Sequence, residues 1–91
     1  MQNASLNHWR DQIDKLDNEL LSLLAKRMEI VQKIGRIKQS SHASILDKKR
    51  WQQVLEGIDA KAKKLKLPKK FVHELFTRIH QQALETERKD L

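Results

Sequence analysis

Ten residues in the first half of the chain follow one another at alternating steps of three and four: Leu6, Trp9, Ile13, Leu16, Leu20, Leu23, Arg27, Ile30, Ile34 and Ile37. That spacing puts a sustained heptad-like stripe on one face of a single long helix. Nine of the ten are apolar, and the tenth is Arg27. A guanidinium held in such a seam is costly unless an anion meets it. Either a structural carboxylate pairs with Arg27 as a register device, or the seam opens there to admit an anionic ligand.

The helix implied by the stripe begins at Ser5, a good N-cap, and runs to about Gln39. Only Gly35 interrupts it, near its end. At ~1.5 Å per residue its roughly 35 residues span about 50 Å. A compact domain of 91 residues has a radius of gyration of only about 12 Å. The apolar stripe therefore runs beyond what its own chain can cover. The expectation is an obligate, intertwined homodimer of long helices.

Ser40 to Ser44 form a polar break, and Asp47 is the next N-cap. A second helix is predicted from there to about Lys64, with Trp51, Val54, Leu55, Ile58 and Ala62 on one face. Leu65, Lys66 and Leu67 form a turn, and Pro68 suits the first position of a third helix. Its buried stripe is predicted to be Phe71, Val72, Leu75, Phe76, Ile79 and Ala83, extended by Glu87. The tail from Arg88 to Leu91 is expected to fray. The predicted fold is all-α, three helices in one domain over residues 1–91, with no strand signal.

Composition narrows the function classes. There is no cysteine, hence no disulfide and no thiolate metal site. The N-terminus has no basic segment followed by an apolar one, and no apolar stretch reaches membrane-spanning length. These features predict a cytoplasmic protein without a membrane partner. The net charge of +7 favours an anionic partner without choosing its kind.

Arg27 and Lys38 are about three helical turns apart, so they share a face within roughly 20°, ~16 Å from each other. Long side chains leaning together there suit a ligand of metabolite size. Arg10 lies roughly 100° around the helix from Arg27, and in an intertwined dimer it reaches the partner's pocket instead. Bland readings stand beside these. Lys38 suits a solvated helix end, Asp47 a simple cap, and Glu87 an exposed terminus. Lys61, Lys63, Lys64, Lys66, Lys69 and Lys70 suit a solvated face. His73 and His80 are ~10 Å apart along their helix, too far for one metal. No Ser-His-Asp arrangement and no Gly-rich phosphate loop is present.

Three blocks of the sequence sharpen this. Residues 9 to 38, WRDQIDKLDNELLSLLAKRMEIVQKIGRIK, carry Arg-x-x-Ile-Asp, Leu-Leu-x-x-Arg and Ile-Gly-x-x-Lys segments. Residues 45 to 50 read ILDKKR, and residues 67 to 87 read LPKKFVHELFTRIHQQALETE. In order and spacing, from Trp9 to Glu87, they resemble the all-helical chorismate mutases. The resemblance implies an isomerase that rearranges chorismate to prephenate for phenylalanine and tyrosine synthesis, with no cofactor and no metal. It implies that Arg10 crosses the dimer to a substrate carboxylate and that Arg27 binds a carboxylate in its own protomer. Lys38 would hydrogen-bond the ether oxygen of the breaking bond, with Glu87 as second donor. Asp47 would offer backbone contact near the ring hydroxyl, and Arg50 positive charge close by.

Two positions depart from the family pattern. Trp51 stands where a Glu usually contacts the ring hydroxyl, and Ala83 where a Ser commonly helps hold a carboxylate. Trp51 also fits the apolar face of its helix. The losses leave open a weak mutase, an altered substrate or a related activity. Isochorismate pyruvate lyase and a mutase of 4-amino-4-deoxychorismate use a similar scaffold. A different class is a non-catalytic basic helical dimer or nucleic-acid-binding module, although few aromatics are available for stacking.

Overall fold

A computed structural model of the chain describes residues 2–89, with side chains from residue 5 onward. Three helices follow in order: α1 (Gln2–Ser40), α2 (Lys48–Lys64) and α3 (Lys69–Lys89). Among the described residues there is no strand. The fold is all-α, as periodicity and composition predict. α1 starts one turn before Ser5, because neither Gly nor Pro precedes that serine to stop the helix. Arg88 and Lys89 are still helical rather than frayed, while Asp90 and Leu91 lie outside the described residues. No helix among the described residues is long and apolar enough to cross a membrane.

The chain divides into two compact units, Met1–Ile30 and Val31–Leu91. The first is the N-terminal part of α1. Its stripe is laid out as the spacing predicts, but Leu6, Trp9, Ile13, Leu16, Leu20, Leu23 and Ile30 are all exposed, Trp9 by 64%.

The second unit holds the end of α1 together with α2 and α3. Asp47 caps α2, its side chain accepting the backbone N–H of Arg50 at 3.0 Å. Pro68 serves α3 as its cap rather than its first helical residue, since its carbonyl accepts the N–H of Val72 at 3.1 Å. Asp59 meets His73 at 3.7 Å, and the ring of Trp51 stacks on that of His80 at 3.9 Å, within 5° of parallel. The two pairs run in opposite directions along the helices, so α2 and α3 are antiparallel. Small side chains form the core: Ala62, Val72 and Ala83 are buried, with Val31 from α1. Phe71 and Leu75 correct the predicted stripe, because both are exposed. They lie at one edge of a wide apolar arc whose other edge, at Phe76 and His80, is turned further from solvent.

α1 and α2 end in the same way. The N–H of Ala43 reaches the carbonyl of Lys38 at 2.9 Å, and that of His42 reaches Gln39 at 3.3 Å. Leu67 bonds Ala62 at 2.9 Å and Lys66 bonds Lys63 at 3.2 Å. These are Schellman motifs, with His42 (φ 57) and Lys66 (φ 58) in the left-handed conformation. Glycine would sit there without the Cβ clash. Lys66→Gly and His42→Gly are each expected to stabilise the protein by about 1 kcal/mol. At constant protein concentration the melting temperature should rise by roughly 4–8 °C for each. An unchanged or lower value would show that these side chains make contacts worth more than the strain.

A lysine–glutamate pair at the helix ends

Lys38 lies two residues before the end of α1, where the Schellman turn reverses the chain. The turn brings the Ile45 carbonyl back over the helix end, and it accepts a hydrogen bond from Lys38 Nζ at 2.5 Å. On its other side Lys38 Nζ meets Glu87 Oε1 of α3 at 2.7 Å. The Lys38 side chain keeps 21% of its exposure and that of Glu87 only 7%. The ammonium carries three donor protons, and its own chain engages it at two points. Neither bland reading survives: Lys38 is not a freely solvated helix end, and Glu87 is not an exposed terminus.

The close approach of α1 and α3 depends on a missing side chain. Gly35 is buried, and a Cβ built there would stand 3.1 Å from the Glu87 Cα and 3.4 Å from its Cβ. In the sequence Gly35 is only an interruption of the helix; no local signal shows that a distant backbone packs on it. Thr86, also unanticipated, is buried beside Glu87, its hydroxyl donating to the Gln82 carbonyl at 3.0 Å.

The other expected site residues fall as follows. Asp47 and Arg50 are exposed at the start of α2 and are joined through the cap. Trp51 is half-buried against His80, so it contributes to the α2–α3 contact. Ala83 is buried one turn before Glu87 on α3. An open hollow of about 560 Å³ beside the chain reversal is lined by Lys38, Ile45, Leu46 and Arg88, among others. Asp47 and Lys38 together border a second, of about 520 Å³. In the first unit, Arg10 is exposed and Arg27 is half-buried. Among the described residues neither side chain forms an ion pair or hydrogen bond, so Arg27 has no carboxylate partner among them. No group of three or more metal-ligating side chains occurs among the described residues.

An ammonium held by a carbonyl and a carboxyl can still donate a hydrogen bond to a ligand. Known proteins have similar sequences. The chain is 31% identical over 87 residues to a bifunctional chorismate mutase/prephenate dehydratase from Buchnera aphidicola, covering 96% of this chain and 23% of that protein. It is 32% identical over 84 residues to the T-protein of Enterobacter agglomerans, covering 92% of this chain and 22% of that protein. Against the bifunctional chorismate mutase/prephenate dehydratase of Escherichia coli it is 32% identical over 78 residues, covering 86% of this chain and 20% of that protein. The chain thus spans less than a quarter of the length of these relatives. Residues 9–88 match the sequence model of chorismate mutase type II, and the chain belongs to that family.

Proposed function

We propose that this chain rearranges chorismate to prephenate, working as a homodimer. The observation that carries the reading is the Lys38 ammonium, fixed between the Glu87 carboxyl and the Ile45 carbonyl at the end of an arginine-bearing helix. The reaction is an isomerisation: one ether C–O bond breaks as one C–C bond forms, and no atom enters or leaves. The protein has two tasks. It must hold a flexible dianion in its compact reactive conformer, which lowers the barrier by orientation. It must also meet the negative charge that grows on the ether oxygen.

Each residue has a part in this reading. Arg27 grips one carboxylate in the bidentate manner of a guanidinium. Arg10 of the other protomer grips the second. Lys38 donates a hydrogen bond to the ether oxygen, and Glu87 stands as the second residue facing that oxygen. Asp47 and Arg50 border the ring hydroxyl.

The dimer is supported by the seam. Its apolar members are exposed by 41% at Ile34 to 66% at Ile37. Fully burying such a side chain contributes about 1.5–3 kcal/mol, so leaving nine half-covered forgoes a large fraction of a small domain's stability. Sedimentation at micromolar concentration should return twice the chain mass. Mixing inactive Arg10→Ala chains with inactive Arg27→Ala chains should restore activity, because one site of each heterodimer then holds both arginines. No recovery after confirmed subunit exchange would put both arginines in one chain's site.

Incubating the purified protein with chorismate, isochorismate and 4-amino-4-deoxychorismate, and identifying each product, tests the activity. Prephenate from chorismate is the expected result. Pyruvate release from isochorismate would assign the lyase reaction instead, and turnover of the amino compound alone would assign the related mutase. No conversion, together with salt-sensitive DNA binding, would favour the non-catalytic module.

A further inference from the structure

We infer that Gly35 is a positioning residue: its bare backbone lets the end of α3 approach closely enough for the Glu87 carboxyl to meet Lys38. The inference rests on the activity proposed above for the consequence in turnover, but its geometry is independent of that activity.

Gly35 is buried on α1, one turn before Lys38. The nearest atom to a Cβ built there is the Glu87 Cα, at 3.1 Å, with the Glu87 Cβ and Cγ at 3.4 Å. The nearest obstacle is therefore backbone, which cannot swing aside as the end of a flexible side chain does. An alanine requires α3 to give way by a few tenths of an ångström at Glu87 itself. Such a shift moves the Glu87 carboxyl relative to Lys38, with which it is in contact at 2.7 Å. Lys38 is also tied to the Ile45 carbonyl, so the ammonium does not simply follow the carboxyl outward.

Helix propensity runs the other way. Glycine inside a helix is less favourable than alanine, so α1 alone would gain from the substitution. The glycine runs against local helix preference at the place where the two helices meet.

The test is a double-mutant cycle read in kinetics. Wild type, Gly35→Ala, Glu87→Ala and the double variant are compared for kcat and KM on chorismate. Gly35→Ala should change kcat about tenfold, the effect of a charged group misplaced by a fraction of an ångström, with KM within about twofold of wild type. In the Glu87→Ala background the same substitution should change kcat by less than about twofold. An equal change in both backgrounds, or no change in either, overturns the inference. Each variant is also made in the Lys66→Gly chain, whose relieved turn lies at the other end of α2 and offsets any loss of fold.

If wild type shows no turnover of chorismate, the proposed function fails, and a second cycle still decides the inference. Lys38→Met and Glu87→Gln are combined, and their coupling is read from melting temperatures. Coupling in the Gly35 chain that is lost on Gly35→Ala supports the positioning role. Equal coupling in both overturns it.

Discussion

Arg27→Ala lowers kcat/KM for chorismate by roughly 30- to 5,000-fold and leaves the helical content and the dimer intact. Truncating one partner of a buried, hydrogen-bonded charge pair costs about 2–5 kcal/mol, which corresponds to that range of rate. The reasoning starts from position. Arg27 interrupts an apolar seam, is half-buried and has no carboxylate partner in its own chain among the described residues. If its partner is the substrate, the free enzyme bears a cation that an apolar residue would replace with profit to the seam. Arg27→Leu is therefore expected to raise the melting temperature while abolishing the same activity. Lysine is no substitute, because a point charge cannot hold a carboxylate bidentately. Circular dichroism, sedimentation and steady-state kinetics on the variants check all three outcomes. Retained turnover in Arg27→Ala would make the arginine a register device and move the pocket elsewhere.

Glu87→Gln raises activity at neutral pH by about tenfold or more, the worth of one added hydrogen bond to a developing charge. An ether oxygen accepts hydrogen bonds, and an ionised carboxylate cannot donate one. At 2.7 Å an ionised Glu87 also draws on the Lys38 ammonium that the ether oxygen needs, and it repels the negative charge growing there. Glutamine of the same shape presents an N–H in place of that carboxylate oxygen. The measurement is kcat at neutral pH for the two proteins side by side. Equal values would mean that Glu87 faces only Lys38 and not the reacting bond.

The helices were legible in the sequence because their causes are local. The seam spacing, the cap at Asp47 and the proline before α3 act within a turn or two of chain, and all three recur in the structure within a residue of expectation. Helix ends were less legible where glycine is the usual sign. His42 and Lys66 adopt the left-handed conformation without the residue that announces it, so the two matching Schellman turns could not be read in advance. The candidate site residues were nameable from type and spacing, and from the family pattern. What each one touches was not.

Lys38 and Glu87 share no local interaction, since a whole hairpin of helices separates them in sequence. Their meeting depends on where α3 lies against the end of α1, and that is set by packing: the bare Gly35 backbone against Glu87, and the turn that returns the Ile45 carbonyl to the Lys38 ammonium. Phe71 and Leu75 show the same division. Their helical face was predictable, but the width of that face covered by α2 was not, because periodicity gives the direction of a side chain and not the extent of its neighbour. The sequence by itself determined three amphipathic helices, their order and a cation in an apolar seam, since each arises from contacts within a few residues. Only the tertiary structure decided that the lysine at one helix end and the glutamate near another form a single site, because that pairing depends on how closely two distant backbones approach.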